Sequence, residues 1–142
     1  MGTWDAGPFD NDSAADWCGA LNDAPPAQRP ALLRATLTTV VNHGPDDYLD
    51  SDDATPAIAA AAVVASQLPG GPAITSSYAP AFITDGGTVE IAPDLPALAV
   101  RALDRVFAPK SEWPALWADG DGTVPPDVLA LLEPYRSVLE RA

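Results

Sequence analysis

The sequence predicts an all-α protein, a compact bundle of five to six helices packed around one buried helix. Three observations predict it. Apolar residues recur at helical spacing in several segments bounded by capping residues, Pro or Gly. One Ala-rich segment is apolar on every side, the pattern of a helix surrounded by others. Only one stretch, Thr88–Ile91, has a strand-like composition, and it has no partner to build a sheet with.

The chain opens on an irregular segment, MGTWDAGPFDNDSAADW. Gly2 and Gly7-Pro8 mark turns. Asn11, Asp12 or Ser13 can then start a helix, with Ser13-x-x-Asp16 approximating a capping box. Ala14, Trp17, Cys18 and Leu21 share one face of that helix, Asp16 and Asp23 point away, and Asp23-Ala-Pro-Pro ends it. A second helix is expected from about Gln28 to Val41, with Pro30 in its first turn and Leu33, Leu37, Val40 and Val41 as its stripe. Asn42-His43-Gly44-Pro45 stops it, Gly44 being available for a left-handed cap.

Residues 46–53 form an acidic linker. The third helix is expected at 54–68, with Thr55 as N-cap and Pro56 at its first position. Ile58, Ala61, Ala62, Val63, Val64, Ala65 and Leu68 leave it no charged face, so it is placed at the centre of the bundle. Pro69-Gly-Gly-Pro72 terminates it. In 73–92, a helical turn near Tyr78–Ile83 and a short extended piece near 88–91 are the two features expected. A helix from Asp94 to Phe107 buries Leu95, Leu98, Ala99, Ala102, Leu103 and Val106, with Asp94 as its cap and an Arg101–Asp104 pair on its outer side. Ser111 is expected to cap a short helix carrying Trp113, Leu116 and Trp117. The last helix starts near Pro125-Pro126, shows a 3.6 period through Val128, Leu131, Leu132, Tyr135, Val138 and Leu139, and is expected to kink at Pro134.

At 142 residues the chain is expected to be a single domain, 1–142. Its formal net charge is −13, a field that repels nucleic acid and anionic membrane and suits a basic protein partner. Ten acids stand against Arg29 and Arg34 in residues 1–56, so the N-terminal part carries most of the excess. One cysteine, Cys18, excludes an intramolecular disulfide and a cysteine zinc cage. No basic-then-apolar leader opens the sequence, and no apolar run is long enough to span a bilayer, which together suggest a cytoplasmic protein. Alanine at 27 residues and six Arg against one Lys fit a GC-rich, bacterial coding sequence.

No catalytic motif outweighs its structural explanation. There is no Gly-x-Ser-x-Gly elbow, Walker loop or Gly-x-Gly-x-x-Gly. A Cys18–His43 nucleophile and base is chemically conceivable, but a packed thiol and a helix-terminal histidine account for both residues. Asp10, Asp12 and Asp16 could hold a hard cation for a metal-assisted hydrolase, or cap and solvate a helix start. The acids of 46–53 fail as an EF-hand: with Asp50 first, Thr55 falls at the glycine position and Ala61 at the bidentate glutamate. No cofactor is indicated. Trp4 reads either as a core plug or as an interaction anchor among acids.

The first seventeen residues resemble the opening of the bacterial domain-of-unknown-function family 4259, whose pattern is Met-Gly-x-Trp-Gly-x-Gly-x-Phe-x-Asn-Asp-x-Ala-x-Asp. Trp4, Gly7, Phe9, Asn11, Asp12, Ala14 and Asp16 match, and Asp5 departs from a usual glycine. Ala59–Ala65 resembles the family's Ala-rich helix, here without the acidic residues of its relatives, and Ala97–Trp117 resembles its C-terminal part. The resemblance implies a small, mostly helical, cytoplasmic domain and no established activity.

The expected function is therefore a non-enzymatic interaction or immunity-type module that binds a basic partner, as a monomer or weak homo-oligomer. Its candidate contacts are Trp4, Asp5, Phe9, Asp10, Asp12, Asp16, Asp46, Asp47 and Asp50. The alternatives are the metal-assisted hydrolase and a homo-oligomeric structural protein.

Overall fold

A computed structural model describes residues 12–44, 46–72, 74, 79–108, 110–113 and 126–142, with backbone alone at 12, 127, 128 and 131. Among the described residues it has six α-helices and no strand: α1 (Asp12–Asp23), α2 (Arg29–Val41), α3 (Ser51–Ser66), α4 (Ala81–Thr84), α5 (Leu95–Phe107) and α6 (Pro126–Arg141). A 3₁₀ turn, Pro26–Gln28, leads into α2. The all-α bundle expected from the sequence is the fold observed.

α3 is the axis. Ala54, Thr55 and Ala57 through Ala65 are all buried, and α1, α2, α5 and α6 pack around them. The chemistry of the segment explains the arrangement. Alanine costs no side-chain entropy in a helix, and its single methyl lets four neighbouring backbones approach one axis. Each neighbour contributes its stripe: Ala14, Cys18 and Leu21 from α1; Leu33, Leu37 and Val40 from α2; Leu95, Ala99, Ala102, Leu103 and Val106 from α5; Leu132, Val138 and Leu139 from α6.

α3 begins at Ser51, three residues before the expected bound of 54 and five before the start that Thr55-Pro56 suggests. Asp50 is the N-cap, its carboxylate accepting from the Asp53 N–H at 3.2 Å. Thr55 is not a cap; its hydroxyl donates back to the Ser51 carbonyl at 2.9 Å. Pro56 sits inside the helix. A proline can be borne there, in the second turn, because it forfeits only the bond to the carbonyl four residues earlier. Two further capping expectations are corrected. Ser13 lies within α1 and donates to Asp52 Oδ1 at 3.1 Å rather than capping its own helix. Asp94 precedes α5 without a side-chain cap; its carboxylate takes a bidentate Arg34 guanidinium at 2.8 Å on both oxygens. Arg34 holds the Asp94 carboxyl below the usual carboxylate range. In each case a long-range partner outcompetes the local N–H group.

Other local expectations resolve similarly. Gly44 is not left-handed; Asn42 ends α2 in right-handed geometry, and the Gly44 N–H donates to Asp47 Oδ2 at 3.0 Å. Asp104 pairs with Arg136 of α6 rather than with Arg101, which ties α5 to α6. Residues 88–91 form no strand. This stretch is held by side chains, Gln67 Oε1 accepting from Val89 N–H at 3.0 Å. α4 supplies the helical turn expected before it, anchored by Asn22 Oδ1 on the Phe82 N–H at 3.0 Å and by Arg29 stacked 3.8 Å over the Phe82 ring. Ser111 pairs with Leu49 in an isolated parallel bridge, and Glu112 and Trp113 follow in helical conformation. Trp113 is buried and meets Phe107 edge to face at 5.2 Å, while Trp117 lies outside the described residues. No helix among the described residues is long and apolar enough to cross a membrane.

Candidate functional site: an acidic end of the bundle

Two acid-rich segments, distant in sequence, meet at one end of the bundle. The Ser13–Asp52 hydrogen bond places the start of α1 beside the start of α3. Asp16, Asp46, Asp47, Asp50 and Asp52 are exposed there. Trp4, Asp5, Phe9 and Asp10 lie outside the described residues, as does the side chain of Asp12. Asp12 itself is the first residue of α1, which puts it at this end.

The loop carrying Asp46, Asp47 and Asp50 is pinned from within. Arg105 of α5 donates to the carbonyls of His43 at 3.2 Å, Gly44 at 3.3 Å and Asp47. A planar fork with five donors suits that task. Further along, Leu49 is fully buried; its N–H donates to the Lys110 carbonyl at 2.8 Å and its carbonyl accepts from Glu112 N–H at 2.8 Å. The loop therefore keeps a fixed shape while presenting carboxylates and Tyr48, which is 60% exposed. Beside the loop, Lys110 Nζ lies 3.9 Å from Asp46, and His43 Nε2 lies 3.9 Å from Asp53 Oδ2. The His43 ring is oriented by a 2.8 Å contact between Nδ1 and the Thr39 carbonyl.

Two first-turn N–H groups of α3 are taken by other acids. Asp50 accepts from Asp53 N–H, and Glu112 Oε1 accepts from Ser51 N–H at 2.7 Å. That leaves the Asp52 and Asp53 carboxylates directed to their surroundings. With Trp17, Thr36, Thr39 and Pro56 they line a cleft of about 220 Å³ between α1, α2 and α3. In the sequence, Asp52 and Asp53 figure only as part of the acidic 46–53 stretch, and Trp17 not as a contact at all; their grouping has no local signal, because α1 and α3 must pack before they become neighbours. A second, more apolar hollow lies between α5 and α6, lined by Leu103, Phe107, Leu129 and Leu132 with Arg136 at its edge.

Of the residues named for the metal-assisted alternative, Asp10 and the Asp12 side chain lie outside the described residues, and Asp16 is exposed on α1. Among the described residues, no three His, Cys, Asp or Glu side chains are grouped so that they could hold a metal ion. Cys18 is 2% exposed, and burial pushes its thiol up to about 12. A nucleophile needs its thiolate, and this site suppresses it. Two outcomes follow for Cys18. Thiol reagents at pH 8 should label it only at the rate of global opening, read by mass spectrometry against the urea-unfolded chain. Because the folded thiol titrates above the unfolded one, its contribution to stability is complete below the unfolded value near 9 and is lost as pH rises toward 12. Cys18→Ala should flatten that alkaline slope in urea titrations; an unchanged slope would contradict the assignment.

The profile of the family described as Domain of unknown function (DUF4259) matches residues 2–125. The chain belongs to this family. No curated protein and no solved structure matches it. The DUF4259 match takes in the acidic end complete, from α1 through Glu112, and stops one residue before α6. α6 is nevertheless part of the packed core, through Leu132, Val138 and Leu139.

Proposed function

We propose that this DUF4259 protein is a non-enzymatic interaction module that docks a basic protein partner on its acidic end. The observation that carries the reading is the junction of two acid-rich segments across the Ser13–Asp52 bond, on a loop held rigid by Arg105. Charge concentrated on a preorganised surface accelerates encounter and rejects acidic competitors. Rigidity lowers the ordering cost of binding. An immunity-type protein that neutralises a basic toxin would use the surface in this way. A cytoplasmic, bacterial setting is part of the same reading.

The test is affinity capture from host extract with the full chain, at about 50 mM and about 300 mM salt, where screening lengths differ by more than twofold. A parallel bait carries Asp16→Asn, Asp46→Asn and Asp47→Asn. Basic proteins retained at low salt, released at high salt and missed by the substituted bait are expected. Partners that ignore both salt and the substitutions would refute the proposal.

A further inference from the structure

We propose that the cleft between α1, α2 and α3 is a binding site for a cationic nitrogen head group, an alkylammonium or a guanidinium. The inference comes from the polar groups that line it, which have spent their donors. Trp17 Nε1–H donates to Thr36 Oγ1 at 2.8 Å. The Thr36 hydroxyl donates to the Leu32 carbonyl at 2.9 Å, and the Thr39 hydroxyl to the Ala35 carbonyl at 2.9 Å. Asp52 and Asp53 are acceptors only, and Pro56 has no N–H to offer. Pro56 also deprives the Asp52 carbonyl of its helical donor four residues on. The polar lining is thus rich in acceptors, two of its residues carboxylates, beside the Trp17 indole.

That inventory selects a ligand. A neutral solute brings acceptors that would go unmatched, and an anion would be repelled. A head group that is all donor and positively charged matches every wall, and an indole adds cation–π attraction to carboxylate pairing. At the helix terminus Asp50 takes the Asp53 N–H and Glu112 the Ser51 N–H; Asp52 Oδ1 accepts from Ser13, and Asp53 Oδ2 lies 3.9 Å from His43 Nε2, which leaves one oxygen of each carboxylate without a hydrogen bond among these. The hydrogen bonds of Ser13 to Asp52 and of Trp17 to Thr36 fix two of the walls before any ligand arrives. A volume of about 220 Å³ admits one head group and a short alkyl stem, not a folded cofactor. The head group can come from a basic side chain of a protein or from a free amine, and the proposal stands on the cleft whether or not the acidic end docks a protein.

The test is an NMR titration of the full chain that follows the Trp17 indole N–H, assigned with Trp17→Phe. The probes are n-butylammonium, n-butylguanidinium and the neutral isostere 1-butanol, at constant ionic strength. A saturable shift with either cation and none with butanol is expected. Asp52→Asn combined with Asp53→Asn should weaken binding by about tenfold or more. Pro56→Ala, which returns a donor to the Asp52 carbonyl, should also weaken binding several-fold while raising the melting temperature. Those opposite directions separate a binding effect from unfolding. A silent indole, an equal response to butanol, or undiminished binding in both variants overturns the proposal. A short peptide with an acetylated N-terminus and one free lysine side chain then distinguishes sources: tighter binding than n-butylammonium assigns a protein side chain, and weaker binding a free amine. Capture experiments with the bait substituted at Asp16, Asp46 and Asp47 leave the cleft intact, so the two proposals can fail separately.

Discussion

Ala60→Asp should unfold the protein or bring it to the edge of unfolding. Ala60 is fully buried at the middle of α3, within a stretch buried on every side. A carboxylate there has no partner and no route to water. An unpaired buried charge costs about 3–5 kcal/mol, and the added side-chain volume costs about 1–3 kcal/mol more in a filled core. Typical domains hold only about 5–15 kcal/mol in total. Urea denaturation followed by circular dichroism would read the loss. Ala60→Ser, which adds one hydroxyl able to bond to its own helix backbone, should fall well short of it. A urea midpoint for Ala60→Asp close to that of the native chain would mean that α3 is not the buried axis.

The second large effect is expected at Arg105, and it joins stability to binding. Arg105→Ala strips the donors from the carbonyls of His43, Gly44 and Asp47. Bonds to a charged donor contribute about 1.5–3 kcal/mol each but are not additive. Part of that gain is already offset, because Nη1 of the same guanidinium is buried without a hydrogen-bond partner. A net loss of about 2–3 kcal/mol is the reasonable expectation. The more telling readout is local. Amide exchange at Asp47 and Leu49 should quicken beyond the global change, and capture of a basic partner should weaken although no acid has been removed. Arg105→Lys should recover only part of either, since one ammonium cannot span three carbonyls as a fork does. Unchanged exchange in the loop would show that the Leu49–Ser111 bridge holds it alone.

Much of the fold was legible because it is written in local patterns. α1, α2, α5 and α6 each carry an apolar stripe at helical spacing; its described members are buried or, at Trp17, Val41, Leu98 and Tyr135, packed partly buried against the core, while the Val128 and Leu131 side chains lie outside the described residues. The centrality of α3 was legible from the absence of any charged residue between Ala54 and Ser66. What sequence could not show were the choices made by side chains with two possible partners. Ser13, Asp94 and Thr55 all have the chemistry of helix caps, and each bonds elsewhere. The start of α3 was misplaced for a related reason: Thr55-Pro56 carries a helix-start signature, yet Asp50 offers a cap one turn earlier, and the packing of Ala54 and Thr55 in the core rewards the longer helix. The same limit applies to the site. Exposure of Asp46, Asp47 and Asp50 follows from a run of acids. The neighbourhood of Trp17 with Asp52 and Asp53 depends on how α1 settles against α3, and Arg105 acts across about 60 residues of chain, as its separations of 58–62 from its acceptors attest.

The Ala-rich stretch of α3 from Ala57 to Ala65, buried throughout, has an evolutionary consequence. On an ordinary amphipathic helix, drift is free on the solvent side and restricted on the other. From Ala57 to Ala65 this helix has no solvent side. Any enlargement there displaces a neighbour, and each neighbour also rests on another helix, so substitutions in α3 should be inherited with compensating changes on α1, α2, α5 or α6. Divergence among relatives would then run in correlated sets along this axis, while the acidic end, free of that constraint, can change one residue at a time to follow whatever it meets.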